Sequence, residues 1–289
     1  MFGIIKKNFL IIGLGSIGQR HFRNLKKLDK KIKFFAYREK NNRPSLSDDN
    51  QVLNKKFSLE KNDITSIPHI SKISEFNIDA MLICNPSSLH YKFINIALSK
   101  DMYVFVEKPV TSKFSDFKKL FNHKLNKNIC VGFQFRFHPL LKTVKKMLLK
   151  KEIGNVVSAS FVNGEYLPNW HKYEDYSSSY ASKKVLGGGC ILTQIHEIDY
   201  AIWILGKPNT LFAVGDNLSK LKIDVEDSTQ ILLNNQSGKK KLPVSISLNY
   251  LQTPSKRYFN IVGDKGTIEC DLIKNNLIIN YLNNKKSKI

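Results

Sequence analysis

Short, almost unbroken apolar runs are separated by amphipathic stretches in the first half of the chain, whereas runs in the second half more often alternate apolar and polar residues. The runs at 9–12, Lys33–Tyr37, Ala80–Cys84, Met102–Val106 and Ile129–Phe133 read as strands of a parallel sheet covered on both faces. Between them the spacing predicts a helix from Ile17 to about Leu28 and a short amphipathic helix over Ile70–Phe76. A further helix carries Tyr91, Phe93, Ile94, Ile96, Ala97 and Leu98, with Ser87 or Ser88 as its cap. The polar stretch Asn41–Asn62 interrupts this alternation and holds at most one short strand near Gln51-Val52-Leu53.

The later pattern predicts a different architecture. Leu140, Leu141, Val144, Met147 and Leu148 fall at helical spacing within Leu140–Lys151, which ends near Gly154, and a strand follows over Val156–Val162. A long aromatic loop runs from Gly164 to Tyr173, and after Gly187-Gly188-Gly189 one helix is expected over Ile191–Leu205, stopped by Gly206. Strands at Leu211–Val214, Thr229–Leu233, Val244–Tyr250, Tyr258–Val262, Thr267–Cys270 and Leu277–Tyr281 are joined by short polar turns, as antiparallel neighbours require. The expected fold class is α/β, with an N-terminal Rossmann domain over residues 1–133 and an α+β domain on a mostly antiparallel sheet over residues 134–289.

The first strand runs straight into Gly13-Leu14-Gly15-Ser16-Ile17-Gly18, the G-x-G-x-x-G spacing of a dinucleotide turn. Gly13 permits the tight turn, Gly15 lets backbone approach a pyrophosphate, and Gly18 lets the helix lie close to the strand. The N–H groups of Ser16 and Ile17 at the helix start then face the phosphates. At the end of the second strand Arg38 suits a 2′-phosphate and so NADP, Glu39 suits the ribose hydroxyls of NAD, and Arg38 on a merely solvated basic surface is a third reading. Asn85 and Pro86 end the strand Ala80–Cys84 at the sheet edge where such folds bind ligands. His90 either faces that crevice or simply opens the next helix. Glu107-Lys108-Pro109 follows another buried strand in the same way.

Composition removes several alternatives. The 289 residues are 42% hydrophobic and 11% aromatic, enough for two domains with real cores. No run approaches the roughly 18 apolar residues of a membrane span, and the first strand follows the N-terminus without a leader, so a cytoplasmic protein that does not enter the membrane is expected. Cys84, Cys130, Cys190 and Cys270 are too scattered for a metal or redox motif and read as reduced and mostly buried; no metal is expected. The net charge of +22 is spread through many lysine pairs in Asn-rich segments, and no nucleic-acid module is evident. Specific nucleic-acid binding is therefore not expected, although the field favours anionic small molecules.

Glu107-Lys108-Pro109, the run Gly132-Phe133-Gln134-Phe135-Arg136-Phe137-His138-Pro139, and Gly187-Gly188-Gly189 leading to His196-Glu197-Ile198-Asp199 together resemble the Gfo/Idh/MocA family. The resemblance spans nearly the whole chain. It implies hydride transfer between NAD or NADP and a hydroxyl-bearing carbon of a sugar, cyclitol or nucleotide-linked sugar, in a homodimer or homotetramer. Lys108 resembles the family lysine beside the substrate hydroxyl, with Glu107 orienting it or shaping the loop. His196 resembles the histidine that accepts the proton or binds substrate, with Asp199 one helical turn on to orient it or to serve a domain interface. Arg136 and His138 are placed near the cofactor or the joint between domains.

One departure accompanies the resemblance. Many active members carry Asp four residues before this histidine, where this chain has Leu192, and counting from the glycines falls on Thr193. Either Lys108 and His196 suffice, or the chain is a catalytically silent dinucleotide-binding or regulatory protein. Tyr166, Trp170 and His171, followed by Tyr180 and Lys183, resemble a branch associated with bacterial surface-polysaccharide pathways. Their aromatic rings either stack on a sugar or base or pack the loop against the sheet or a neighbouring subunit, and Lys183 or Lys184 is a candidate for a phosphate or carboxylate.

Overall fold

A computed structural model describes residues 8–38, 44–282 and 286–288. The chain divides into two compact units, Met1–Gly132 with Val185–Gly187 and Phe133–Lys184 with Gly188–Ile289.

In the first unit, β1 (Asn8–Ile12) leads through the glycine turn to α1 (Ser16–Leu28) and β2 (Lys33–Tyr37). A small hairpin of β3 (Ser45–Leu46) and β4 (Val52–Asn54) precedes β5 (Ile64–Ser66), β6 (Ala80–Ile83), α2 (His90–Leu98), β7 (Tyr103–Val106), α3 (Phe114–Phe121) and β8 (Ile129–Val131). The main sheet has the order β5-β2-β1-β6-β7-β8, and every pairing is parallel. Leu10, Ile11 and Ile12 of β1 and Met81, Leu82 and Ile83 of β6 are all buried, which explains why these strands show no polar alternation. The order reverses between β1 and β6, so the turns after those two strands flank the crevice where a doubly wound sheet binds its ligand.

Two expectations shift here. Ile70–Glu75 forms a 3-10 helix rather than an α-helix, burying only Ile73. The polar stretch holds a two-stranded hairpin fixed by Gln19 of α1, whose side chain accepts from Leu46 N at 2.9 Å and donates to the carbonyls of Leu14 and Pro44.

The second unit contains α4 (Pro139–Leu149), β9 (Val156–Gly164), the single turn α5 (Cys190–Thr193), α6 (His196–Leu205), β10 (Thr210–Asp216), β11 (Ser228–Ser237), β12 (Lys240–Asn249), β13 (Lys256–Gly263), β14 (Gly266–Asp271), β15 (Asn276–Tyr281) and β16 (Lys286–Lys288). Its sheet order is β10-β11-β12-β9-β13-β14-β15-β16, antiparallel except where β12 pairs with β9. Leu242, Val244, Ile246 and Leu248 alternate with exposed or half-buried neighbours along β12, the period-2 signature of a sheet with one buried face. That face packs Phe161, Phe259 and Tyr200 together with Leu141 and Val144.

The long helix expected over Ile191–Leu205 is instead two pieces, α5 and α6, interrupted at Gln194-Ile195. Gln194 leaves helical geometry and its side-chain amide donates to Asn249 O at 3.1 Å, so α6 begins afresh at His196. Gly206 ends α6 at φ 87°, the left-handed conformation that favours glycine.

Candidate functional site

The glycine turn is built by close contacts. Gly13 has φ +88°, and a Cβ there would press on Asn85 at 3.1–3.2 Å. A Cβ on Gly18 would lie 2.1 Å from Gly13 O, so helix and turn meet at a distance only glycine allows. At Gly15 a Cβ would meet nothing within 4 Å; the space above this residue is open. Gly15 is also the N-cap of α1 and brings no capping side chain, leaving the first-turn N–H groups of Ser16, Ile17 and Gly18 at the crevice. The Ser16 hydroxyl is engaged by the Asn50 side chain, so it is the backbone of Ser16 that remains for a ligand.

Across the switch point Asn85 follows β6, and its Oδ1 is buried without a hydrogen-bond partner. Open backbone above Gly15, an uncapped helix start and an orphaned acceptor fit a dinucleotide whose phosphates need donors and whose sugar or amide supplies one. Arg38 follows β2, its Nη1 donating to Phe57 O at 3.2 Å, while burial pulls its pKa down. Glu39, the competing ribose partner, lies outside the described residues.

Three side chains near the strand ends have partners that the sequence left open. Glu107 does not turn toward Lys108: its Oε1 lies 2.7 Å from Nε2 of His21, on α1 one turn beyond Gly18. His90 offers no ring nitrogen to a ligand, because Nδ1 meets Pro109 O at 2.8 Å and Nε2 meets Asn85 O at 2.9 Å. Burial lowers the His90 pKa against the pull of these carbonyls. Ser87 does not cap α2; it starts a 3-10 turn, and its hydroxyl donates to Gly187 O at 3.1 Å. Gly187 has φ +81°, and a Cβ there would lie 2.1 Å from that hydroxyl.

In the second unit His196 opens α6 and is 4% exposed, with its ring against Phe135 (centroids 5.0 Å apart) and Phe133 (6.1 Å). The next residue anchors the helix. Glu197 is fully buried, with Oε1 2.8 Å from Nε of Arg257 on β13, Oε2 accepting from Asn163 of β9 at 3.2 Å, and Tyr200 donating to Oε1 at 3.3 Å. Burial pushes the Glu197 carboxyl up despite Arg257. Burial also works to lower Arg257, but Glu197 and Glu165 outweigh it and hold the guanidinium high. No motif marks this network, because Asn163, Glu197 and Arg257 are 34 to 94 positions apart.

Asp199 faces Arg136 rather than the imidazole, in a forked pair at 2.9 and 2.5 Å that raises the arginine pKa further. This pairing places the Arg136 side chain on α6 of its own unit. His138 caps α4, its Nδ1 accepting from Leu140 N at 3.3 Å.

Thr193 has a structural environment: it is 6% exposed, and its hydroxyl contacts Gly189 O at 2.7 Å and Tyr250 OH at 2.5 Å. Leu192, at the position of the family Asp, has no ionisable group to offer. Much of the aromatic loop also packs inward. Trp170 stands edge-on to Tyr250 with centroids 5.3 Å apart, and Tyr180 lies against the core. Burial lowers the His171 pKa, and its Nδ1 and Trp170 Nε1 are buried without hydrogen-bond partners. Tyr166 is exposed, whereas Trp170, His171, Tyr180 and Lys183 are half-buried, leaving Tyr166 the most accessible of the loop's expected ligand residues.

Residues 7–135 match the oxidoreductase family described as an NAD-binding Rossmann fold, and residues 141–269 match the Gfo/Idh/MocA C-terminal domain. The chain belongs to the Gfo/Idh/MocA family. Its N-terminal unit is the family's nicotinamide-dinucleotide-binding Rossmann fold and its C-terminal unit the family's α+β domain.

Among relatives, it is 25% identical to myo-inositol 2-dehydrogenase of Thermotoga maritima over 276 residues, covering 93% of this chain and 76% of that one. It is 23% identical to D-xylose 1-dehydrogenase (NADP(+)) 2 of Haloferax volcanii over 201 residues, covering 69% of this chain and 58% of that one. Several other curated relatives are matched over less than two thirds of their own length. The fold is similar to that of the WlbA dehydrogenase of Bordetella pertussis, solved with NADH and UDP-GlcNAcA: TM-score 0.76, 20% identity, 92% of this chain and 74% of that one.

Proposed function

We propose that this chain is an NAD(P)-dependent oxidoreductase that moves a hydride to or from a hydroxyl-bearing carbon of a sugar, cyclitol or nucleotide-linked sugar. The observation that carries the reading is the open, uncapped glycine turn at the switch point of a Gfo/Idh/MocA chain. Gly13, Gly15, Gly18 and the N–H groups of Ser16 and Ile17 would hold the pyrophosphate, Arg38 or Glu39 the adenine ribose, and Asn85 and Pro86 the crevice wall. Bound there, a nicotinamide ring accepts or returns hydride.

Lys108 Nζ is assigned the hydroxyl proton, and an imidazole nitrogen of His196 the second proton-transfer or substrate-binding role. The apolar packing of Phe133 and Phe135 restricts the His196 ring to few orientations, which suits a proton carrier. Tyr166 and Lys183 are read as substrate contacts, with Lys183 favouring an anionic group. Residues 1–133 form the cofactor domain in this reading and residues 134–289 the substrate and oligomerisation domain.

Four unbridged cysteines support a cytoplasmic setting. The exposed Leu211, Phe212 and Val214 of β10 support a homodimer or homotetramer. The test is titration with NAD(H) and NADP(H), then absorbance at the reduced-nicotinamide band over a panel of sugars and sugar nucleotides. Substrate-dependent reduction, lost in Lys108→Ala and in His196→Ala, is the expected result, whereas absence of dinucleotide binding overturns the assignment. A second reading, a silent dinucleotide-binding or regulatory protein, is favoured by Leu192 at the family Asp position. Tight binding with no turnover across the panel would support it.

A further inference from the structure

Lys108 stands between two residues that are each held by a histidine from a different helix. On one side, the Glu107 carboxylate lies 2.7 Å from His21 Nε2 on α1, within a partly buried pair whose side chains are 14% and 22% exposed. On the other, Pro109 O lies 2.8 Å from Nδ1 of His90, at the start of α2, and the opposite nitrogen of that ring meets Asn85 O at 2.9 Å.

The surroundings restrict both rings. His21 meets the edge of Phe105 with centroids 4.9 Å apart, and a Cβ on Gly132 would lie 3.3 Å from Glu107 Oε1, so little room remains for another carboxylate rotamer. His90 is 1% exposed. The Glu107 backbone N–H donates to Ile83 O at 2.9 Å, continuing the β6–β7 ladder to the residue before the lysine.

We infer that His21 and His90 are positioning residues that clamp the Lys108 segment from both sides, His21 through the Glu107 carboxylate and His90 through the Pro109 carbonyl. The same two rings register that segment against the helix of the glycine turn and against Asn85, the two walls of the crevice. The inference rests on the reading of Lys108 as the proton-handling residue, but the clamp itself has a separate readout.

That readout is hydrogen exchange of the intact protein in the peptide spanning residues 104–112, with β9 as an internal reference. His21→Ala and His90→Ala should each speed exchange there about tenfold or more while leaving β9 unchanged. His21→Gln and His90→Gln, which keep a side-chain N–H donor, should restore most of the protection. In turnover, the alanine variants should lower kcat at least tenfold and change the KM for dinucleotide less than about threefold.

Unchanged exchange in both alanine variants would overturn the clamp. So would glutamine variants no better than alanine, because packing alone would then account for the effect. Faster exchange with kcat intact would overturn the positioning role. If the wild-type protein fails to bind dinucleotide, the functional reading falls, and exchange still decides whether the two histidines hold the segment.

Discussion

The two units build their chemistry from different materials. In the first, the site is backbone: a turn, a helix start and the ends of strands, brought within reach because glycine removes the atoms that would keep them apart. In the second, the candidate residue His196 is a side chain on α6, a helix tied to β9 and β13 by a buried ionic network. A backbone site is written in consecutive residues and is sensitive to single added carbons. A side-chain site is written across distant strands and is sensitive to the loss of a charge.

The largest expected break in this contrast is Glu197→Ala. Removing one member of a buried ion pair costs about 3–5 kcal/mol where the other is left without compensation; Arg257 loses Glu197 but keeps Glu165 at 3.3 Å, so the loss should fall at the lower end of that range. Denaturant unfolding should show that loss as a lower midpoint, with Glu197→Gln intermediate because it keeps the hydrogen-bonding shape. A midpoint unchanged in Glu197→Ala would show that α6 is held by its apolar face alone.

The second pair of variants separates fold from binding within the glycine turn. Gly18→Ala drives a Cβ against Gly13 O, where the ideal separation is 2.1 Å, and overpacking of this kind costs about 1–3 kcal/mol. Gly15→Ala meets no protein atom within 4 Å. It should leave the thermal midpoint nearly unchanged while weakening dinucleotide affinity about tenfold, or roughly 1.4 kcal/mol. Equal effects of the two on stability would contradict the description of Gly15 as a ligand-facing position.

The smallest expected effect is on pH dependence. Burial lowers the pKa of His90 in the first unit and of His138 and His171 in the second. A depressed folded-state value means that the unfolded chain binds more protons as pH falls through the ordinary histidine range near 6.5. The stability present above that range should therefore be lost progressively from about pH 7 toward pH 5. Thermal midpoints across this interval should fall, and less steeply in His171→Gln; an increase on acidification would reverse the sign of this argument.

Legibility followed the same division. Strands β1, β2, β6 and β7 were readable as apolar runs because both faces of a covered parallel sheet exclude water, and the glycine spacing located the turn after β1. Seven of the eight strands of the second sheet, all but β16, were readable as local runs, with period-2 alternation in β12, β13 and β14, although the pairing of β9 between β12 and β13 was not, since nothing local specifies which distant strands become neighbours. His21 stood within the glycine-rich run itself, yet its partner is 86 positions away. Sequence proximity left open whether Glu107 serves Lys108 or the loop and whether Asp199 serves His196 or a domain interface; the fold gives Glu107 a partner in His21 and Asp199 a partner in Arg136, both far away in the chain.

By itself the sequence determined the order of most strands and helices, though not β3, β5, α3 or β16, together with the dinucleotide turn and the family, because hydrophobic period and glycine spacing act over a few residues at a time. Only the tertiary structure decided that the helix after the glycine triplet breaks at Gln194, that Glu197 is buried on Arg257, and that Glu107 and Pro109 are each held by a histidine. Those outcomes depend on where low-dielectric burial makes an unpaired charge or carbonyl costly, and that is a property of residues brought together by folding.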